Sequence, residues 1–350
     1  MERRSIDSIQ ALRAVAAVAV ATMHGSMMTA SLSNDAFWTG VKKAITPFGN
    51  SGVDLFFVIS GTIMYIVSAR SNSSNSRAFY DFLLHRIARI YPLFLITFLV
   101  SVIVAGYGNY SVSFYQFLKD ALLIDFPSVH PVSWTLPYEV RFYVVVSLML
   151  LLFRKYLNVA FVGWGVVQFG LMIAAEIGSL KFDYFNYVLM TEFSFGLAVG
   201  YLIERRIEKY PIPLLFLGVT WLLISYFIVH DKLSLIDLYR HLLFGIPASF
   251  LVYSLVVLEN RNKIVVSKNL VFIGGISYSI YLWHNVLLTY MGSLFNRGAH
   301  GVWFGVAFML IFAAVTFVVS VFSYTYIEKP SMRFGRYLTI SSRLALLLKY

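Results

Sequence analysis

The residues with the clearest chemical potential lie in an apolar stretch near the N-terminus. Arg13 and His24 stand eleven residues apart in the run IQALRAVAAVAVATMHG, residues 9–25. On an α-helix this spacing corresponds to a rise of roughly 16 Å and a rotation of only about 20° between the two side chains. Ionisable groups in a membrane helix are costly unless they face a polar interior, so the pair indicates a functional site. The alternatives are that Arg13 snorkels to the membrane interface and that His24 is a packing residue.

A second basic pair, Arg86 and Arg89, occurs in the sequence HRIARIYP. Side chains three residues apart on a helix point in the same direction, so both arginines could hold one phosphate group. An anionic ligand from the cytosol is therefore one interpretation of the pair. The alternative is that arginines at the cytoplasmic end of a span only fix the topology.

Two carboxylates lie close to the ends of apolar segments. Asp54, in the sequence GVDLFFVISG, could orient an imidazole or cap the start of a helix. Glu139, in SWTLPYEVRFY, could bind a sugar hydroxyl or assist a proton transfer. Glu139 and Arg141 face about 160° apart on a helix, so each needs a different partner. Ser60 and Gly61 predict close packing between helices.

Aromatic and histidine side chains surround these carboxylates in the sequence. Trp134, Tyr138 and Tyr143 could stack on a carbohydrate or belong to the aromatic belt at the membrane interface. His284, in ISYSIYLWHN, is either a hydrogen-bonded structural residue or part of a site. Glu328 precedes Pro330, which predicts a helix end there, and Glu328 could pair with an arginine of the inner face.

The composition defines the class of protein that carries these residues. Hydrophobic residues make up 59% of 350, charged residues 13%, and the mean hydropathy is +0.74. These values predict an all-α polytopic membrane protein with about ten transmembrane helices. Because cysteine is absent, disulfides, thiolate metal sites and a cysteinyl acyl intermediate are excluded. The net charge of +11 is better explained by membrane topology than by nucleic-acid binding, since no basic soluble domain is present.

Hydropathy and charge also predict the topology. Of the 28 lysines and arginines, 20 fall on the side of the N-terminus, 7 on the other side, and Arg141 within a span, so both termini are predicted to be cytoplasmic. Residues 1–330 are predicted to form the bundle, and residues 331–350 a basic amphipathic cytoplasmic tail on anionic lipid. The loop of residues 107–137 is predicted at the outer face. The ten apolar segments cover residues 9–28, 51–69, 88–106, 136–153, 157–175, 185–203, 212–229, 240–258, 276–295 and 303–325.

Taken together, the motifs resemble those of the acyltransferase 3 family of multi-spanning membrane acyltransferases. The resemblance covers nearly the whole chain and rests on IQALR, Arg13-x10-His24, GVDLFFVISG, Arg86-x2-Arg89 before YP, SWTLPYE, ISYSIYLWH and YIEKP. It implies a ten-span bundle that uses cytosolic acyl-CoA, usually acetyl-CoA, to O-acylate a glycan hydroxyl at the outer face. In that family the Arg-x10-His and Arg-x2-Arg motifs are the functional signatures.

The residue chemistry and the resemblance together predict a mechanism. His24 would act as general base on the acceptor hydroxyl, because the unperturbed pKa of imidazole lies near the working pH. Asp54 or Glu139 would orient it or bind the sugar, and a transient acyl-His24 is the main variant. Acyl-CoA is a co-substrate, no permanently bound cofactor is predicted, and no metal is needed. The predicted acyl-CoA-binding residues are Arg13, Arg86 and Arg89, and the predicted acceptor-binding residues are Trp134, Tyr138, Arg141 and His284.

The predicted partners are acyl-CoA, a polysaccharide or lipid-linked glycan, membrane lipids and proteins of polysaccharide assembly, with no nucleic acid. The predicted location is the bacterial inner (cytoplasmic) membrane, because the chain most resembles members that acetylate exopolysaccharide or lipopolysaccharide O-antigen. Two other classes stay open. One is a transporter that moves a glycolipid or acyl donor without covalent chemistry. The other is a non-catalytic scaffold of a polysaccharide assembly complex.

Overall fold

The computed structural model describes residues 6–33, 35–71, 73–106, 113–126, 129–177, 184–230, 239–298 and 300–347, without the side chains of 105–106, 176, 184–187 and 340–347. These residues are mostly helical and include no strand. The helices are α1 (Asp7–Ser33), α2 (Ala36–Ala69), α3 (Asn75–Gly106), α4 (Phe114–Ala121), α5 (Leu136–Leu152), α6 (Leu157–Glu176), α7 (Tyr184–Glu204), α8 (Pro211–His230), α9 (Ile246–Asn260), α10 (Lys268–Gly275), α11 (Ser277–Ser293), α12 (Val302–Ser323) and α13 (Lys329–Leu347).

Most of these helices are suited to a membrane. Among the described residues, eight helical segments are long and apolar enough to cross a bilayer, or nine if α10 and α11, bent by 60°, count as one span. All ten predicted apolar segments coincide with helices, including residues 185–203, which form most of α7. The protein is therefore an all-α polytopic membrane protein, as predicted. The cytoplasmic location of both termini stays a prediction.

Two helices begin much earlier than hydropathy predicts. Helix α2 begins at Ala36 rather than near residue 51, and α3 begins at Asn75 rather than near residue 88. Polar residues such as Lys42 lower the local hydropathy without preventing helix formation, because lysine is a good helix former. As a result Asp54 lies about five turns inside α2. The prediction that Asp54 caps a helix start is therefore wrong.

The C-terminal helix also differs from the prediction. Pro330 does not stop the chain's helical course, because a π-helical turn at Tyr324–Glu328 leads directly into α13. Pro330 is the second residue of α13, where the missing backbone N–H costs little. The predicted tail of residues 331–350 thus forms most of α13, and residues 348–350 lie outside the described part of the chain.

Helix α13 packs against α3. A Cβ atom on Gly335 would lie 2.7 Å from Cβ of Ala88, so the two helices touch there. One turn further on, the Thr339 hydroxyl lies 3.2 Å from Nε2 of His85. Phe334 remains exposed. Its contact with lipid stays a prediction.

The chain divides into two compact units. The first contains α1 as far as Met27, α2 and α6 to α10, and the second contains the end of α1 with α3, α4, α5, α11, α12 and α13. The core of the first unit is apolar and draws on α1, α2, α7 and α9. The start of α1 is held by Glu259, whose two oxygens accept the backbone amides of Asp7 and Ser8 at 2.9 and 2.7 Å. These amides have no partner within their own helix, so the carboxylate completes the helix terminus.

Backbone contact joins α2 and α7 within the first unit. A Cβ atom on Gly196 would lie 2.1 Å from the carbonyl oxygen of Val58, and one on Gly61 would lie 2.2 Å from that of Phe193. Neither contact can be relieved by rotating a side chain, because the opposing atom is backbone in both cases. The prediction that Ser60 and Gly61 permit close helix packing is confirmed at Gly61.

Substitution of Gly196 by alanine is expected to lower the free energy of unfolding by about 1–3 kcal/mol or more, because α2 and α7 must move apart. Gly163 and Gly170 on α6 are matched controls, since a Cβ at either position meets nothing within 4 Å. Alanine at these controls is expected to be neutral or slightly stabilising. Thermal unfolding in detergent checks this, and equal melting temperatures for Gly196→Ala and the controls would contradict the backbone contact.

The segment between α3 and α5 belongs to the second unit and folds back along α3. The ring of Phe117 on α4 lies 5.4 Å from that of Phe98, and the Tyr91 hydroxyl donates to the Leu122 carbonyl at 3.0 Å. Tyr91 is 15 residues before the end of α3, which corresponds to about 22 Å. The described part of the segment predicted as an outer loop therefore returns deep along the helix instead of remaining beyond its end.

Candidate functional site

His24 lies on the same continuous helix as Arg13, as the spacing predicts. Its Nδ1 lies 3.1 Å from the carbonyl oxygen of Val20. A carbonyl oxygen can only accept, so in the neutral ring Nδ1 carries the hydrogen and Nε2 carries the lone pair. The half-buried imidazole is therefore oriented by its own helix, with Nε2 as its hydrogen-bond acceptor. The predicted orienting bond from a carboxylate is replaced, at Nδ1, by this backbone carbonyl.

Asp54 belongs to a fully buried ionic cluster in the first unit. Nε of Arg240 donates to Oδ1 of Asp54 at 2.6 Å, and Nη2 of Arg240 donates to the Asn50 carbonyl at 3.0 Å. Glu192 on α7 is also fully buried and interacts with both Asp54 and Arg240. Neither Glu192 nor Arg240 is among the site residues predicted from the sequence. The available signal was a glutamate within an apolar segment, which by default marks a functional site.

The position of Asp54 on α2 explains why it does not serve α1. Gly52 faces α1, since a Cβ there would lie 2.9 Å from the Ala16 carbonyl oxygen, and Gly49 touches Met23 in the same way. Asp54 is two residues beyond Gly52 and therefore about 200° around the helix. Its carboxylate points toward Arg240, away from α1, which disfavours the predicted role of Asp54 in orienting His24.

Arg89 in the second unit is bound by a carboxylate. Its guanidinium forms an ion pair with Glu328, whose side chain is fully buried, and the Ser279 hydroxyl donates to the other Glu328 oxygen at 2.8 Å. The Arg89 guanidinium also lies 5.4 Å from the ring centroid of Tyr278. The prediction that Glu328 pairs with an arginine is confirmed.

Arg86 has a different environment, although it shares α3 with Arg89. Its guanidinium lies 5.4 Å from the ring centroid of Phe82 and 5.6 Å from that of Tyr143. Its Nε is buried and has no hydrogen-bond partner among the described residues. The Tyr143 hydroxyl donates to Glu139 at 3.0 Å, so this carboxylate lies in the same network. A phosphate held by both arginines would have to compete with Glu328 for Arg89.

Four of the recognised motifs meet in this network of the second unit. Two arginines and two glutamates balance in charge, and hydroxyl groups connect them. Tyr278 and Ser279, inside the ISYSIYLWH run, were not predicted as site residues, and Tyr143 was predicted only to stack on a carbohydrate or to lie in the interfacial aromatic belt. The sequence offered one sign of their role, a hydroxyl group close to a charged residue of a motif. This sign alone does not distinguish a residue of the buried network from a surface residue.

The aromatic side chains predicted to bind the acceptor do not form an open platform at Tyr138. This side chain is 1% exposed, with the Trp134 ring at 6.1 Å, the Phe126 ring at 5.6 Å and the Arg141 guanidinium at 5.9 Å. Arg141 donates to the Ile124 carbonyl at 3.1 Å. Because Glu139 is bonded to Tyr143, the prediction that Glu139 and Arg141 have different partners is confirmed.

His284 and Tyr281 lie close together on α11. His284 is fully buried, and its Nδ1 lies 3.1 Å from the Ile280 carbonyl oxygen. Its ring lies 5.9 Å from that of Tyr281, whose hydroxyl contacts Thr135 at 2.9 Å and donates to the Val132 carbonyl. Tyr281 therefore fastens the turn Pro131–Thr135 to α11, and a role of His284 in acceptor binding stays a prediction.

His130, just before this turn, is a buried histidine outside the predicted sites. It is fully inaccessible, neither ring nitrogen has a hydrogen-bond partner among the described residues, and the Phe94 ring lies 6.4 Å away. Burial lowers the pKa of His130 to about 4. The folded chain therefore keeps this ring neutral at pH values where the unfolded chain protonates it.

The free energy of unfolding is expected to depend on pH through His130. The unfolded chain binds the proton below about pH 6.5 and the folded chain only near pH 4, so protonation favours unfolding in this interval. Stability is therefore full above pH 6.5 and falls by roughly 3 kcal/mol as the pH is lowered to about 4. Unfolding in detergent at several pH values measures this, and His130→Leu is expected to lose this dependence. An unchanged slope in the variant would contradict the assignment.

Metal ions and phosphate groups are the two kinds of ligand for which the described residues can be examined. Within the described ranges, no group of three or more His, Cys, Asp or Glu side chains is placed to hold a metal ion.

A cleft of about 690 Å³ in the first unit lies where α2, α7 and α9 end, and it is lined by Arg70, Ile203, Glu204, Arg206, Glu208 and Asn260. Helix C-termini carry partial negative charge, and Glu204 already pairs with Arg70 at 2.6 Å. This cleft is therefore poorly suited to a phosphate group.

Comparison with known proteins assigns the class. Residues 6–325 match the acyltransferase 3 family profile, which is described as an acyltransferase domain. The chain belongs to the acyltransferase 3 family, and it is an integral membrane protein. This confirms the resemblance found in the motifs.

The individual relatives share less than a third of their residues with this chain. A protein of Staphylococcus aureus strain COL with the provisional name O-acetyltransferase is 25% identical over 370 residues, which cover 95% of this chain and 58% of that protein. The chain thus spans little more than half the length of this relative. The exopolysaccharide production protein ExoZ of Rhizobium meliloti strain 1021 is 28% identical over 321 residues, covering 85% of this chain and 94% of ExoZ. No solved structure matches the chain.

Proposed function

We propose that this protein transfers an acyl group, most simply acetyl, from cytosolic acyl-CoA to a hydroxyl of an exported polysaccharide or lipid-linked glycan at the outer face of a bacterial inner membrane. Membership of the acyltransferase family supports the reaction class. The names of the S. aureus relative and of ExoZ support O-acetylation and an exopolysaccharide acceptor.

The observation that carries the proposal is the state of His24. Because Nδ1 is bonded to the Val20 carbonyl, the proton-accepting nitrogen is Nε2. A neutral imidazole with this tautomer is suited to deprotonate a hydroxyl, and its ordinary pKa lies near the working pH.

In the proposed reaction, Nε2 of His24 accepts the proton of the acceptor hydroxyl while the hydroxyl oxygen attacks the thioester carbonyl. The C–S bond then breaks, and the CoA thiolate takes the proton from the imidazolium to leave as free CoA. The products are an O-acyl ester and a thiol, so no oxidant or net proton is required. A transient acyl-His24 would divide the same chemistry into two steps.

Arg86 is the arginine that we assign to the anionic donor. Glu328 neutralises Arg89, whereas Arg86 keeps a buried Nε without a hydrogen-bond partner in the described residues. A charged phosphate oxygen would supply that partner. Arg89, held by Glu328 and stacked on Tyr278, would keep the network of Arg86 in place.

Radiolabelled acetyl-CoA supplied to membranes with the native surface glycan tests the proposal. The wild-type chain is expected to place label in the glycan, and Arg86→Ala is expected to raise the KM for acetyl-CoA. Incorporation of label identifies a transferase. Movement of glycolipid or donor across the membrane without label in the glycan, with other acyl donors also tried, would instead identify a transporter.

A further inference from the structure

Three ionisable side chains from three segments of the first unit meet in its apolar interior. Asp54 comes from α2, Glu192 from α7, and Arg240 from the residue before the π-helical turn His241–Gly245. Asp54 and Glu192 are 0% exposed and Arg240 is 2% exposed.

The local backbone explains how the cluster is assembled. In a π turn the bonded residues are five apart, and the amide of Ile246 donates to the His241 carbonyl in this pattern. Residues five apart, such as Arg240 and Gly245, therefore lie closer to the same face of the helix than they would in an α-helix. Gly245 lies against Glu192, since a Cβ there would be 3.1 Å from its Cγ. The π turn thus packs against the Glu192 side chain, while Arg240 reaches the Asp54 carboxylate.

The charges do not balance if both carboxyls are ionised. Arg240 supplies one positive charge, and its Nε is bonded to Oδ1 of Asp54. Among the described residues, the charged groups that act on Glu192 are Asp54 and Arg240, which leaves one negative charge in excess. An uncompensated buried charge is far more costly than a neutral group, particularly inside a membrane.

The hydrogen bonds show the same deficit. Oδ2 of Asp54 and both carboxyl oxygens of Glu192 are buried and have no donor among the described residues. Two facing carboxylates cannot bond to each other, because each can only accept. One proton on Glu192 converts it into a donor, and the Asp54 carboxylate is among its interaction partners.

We propose that Asp54 and Glu192 form an intramembrane site that binds one proton, carried mainly by Glu192, which makes the cluster with Arg240 electrically neutral. The proton supplies the missing donor and removes the excess charge at once. Glu192 is then a positioning residue for Asp54, and through Asp54 for Arg240, within the contact between α2 and α7. This site does not depend on the proposed acyl transfer.

Infrared spectroscopy of the full-length protein in lipid discs at neutral pH tests the site, because a protonated carboxylic acid absorbs at a higher frequency than a carboxylate. The wild type is expected to show a buried carboxylic-acid band that is lost in Glu192→Gln. This variant is also expected to keep the wild-type melting temperature within a few degrees, since glutamine has the shape and donor of protonated glutamate. Arg240→Gln is expected to lower the melting temperature strongly.

Other results would overturn the proposal. A spectrum without the acid band, or a band that persists unchanged in Glu192→Gln, would show that Glu192 is ionised. Unfolding of Glu192→Gln would show that Glu192 serves as a counter-ion. A melting temperature that rises with Na⁺ but not with choline, without an acid band, would assign the compensating charge to a metal cation.

Discussion

Replacement of His24 by alanine is expected to lower acyl transfer by about 10²- to 10⁴-fold, the contribution typical of a positioned general base. The physical reason is the loss of Nε2, the proton acceptor that the Val20 carbonyl defines through Nδ1. The measurement is the initial rate of label transfer from acetyl-CoA to glycan at matched protein levels. His230→Ala is the control, because this histidine lies at the end of α8 in the same unit.

The His24 variant must also be shown to fold. His24 is only half-buried, so its melting temperature in detergent is expected to stay close to that of the wild type. A folded His24→Ala protein that keeps the full rate would contradict the assignment of His24 as the base. An equal loss in His230→Ala would point to a general effect of removing a histidine from the first unit.

Breaking the ion pair between Arg89 and Glu328 is expected to lower the free energy of unfolding by about 3–5 kcal/mol. Removal of one partner leaves the other charge buried without compensation. Arg89→Gln and Glu328→Gln are therefore both expected to unfold at lower temperature. The double variant Arg89→Glu with Glu328→Arg restores opposite charges and is expected to recover much of the loss.

The pair Arg261 and Glu208 provides a matched control. Their side chains are 43% and 25% exposed and their charged atoms are 3.2 Å apart, so solvent screens the attraction. Arg261→Gln is expected to cost at most about 1 kcal/mol. Equal losses at the two pairs, or no recovery in the charge-reversed double variant, would contradict a structural role for the Arg89–Glu328 pair.

The helices could be predicted from sequence where an entire helix is apolar. Residues 157–175 were predicted and α6 covers Leu157–Glu176, because nothing in this segment interrupts its hydropathy. The first halves of α2 and α3 could not be found in this way, since their polar residues resemble a loop by composition. Hydropathy identifies lipid-compatible segments, and a helix can continue beyond such a segment.

The sites show the corresponding limit for side chains. Spacing correctly placed Arg13 and His24 on one helix, and charge alone suggested that Glu328 needs an arginine. The sequence could not show that the partner of Glu328 is Arg89, which is 239 residues away. Nor could it show that the partner of Asp54 is Arg240, which is 186 residues away. Helical periodicity indicates which face carries a residue, whereas the neighbour of that face depends on how distant segments pack.

The length of α2 has a mechanical consequence. Its 34 residues correspond to about 51 Å, whereas the hydrocarbon core of a bilayer is about 30 Å thick. The surplus requires tilt, local thickening of the bilayer or projection into water, and Lys42 and Lys43 favour projection of the first turns. Since α2 remains helical through Pro47, the projecting turns and the turns that carry Asp54 and Gly61 belong to one continuous helix.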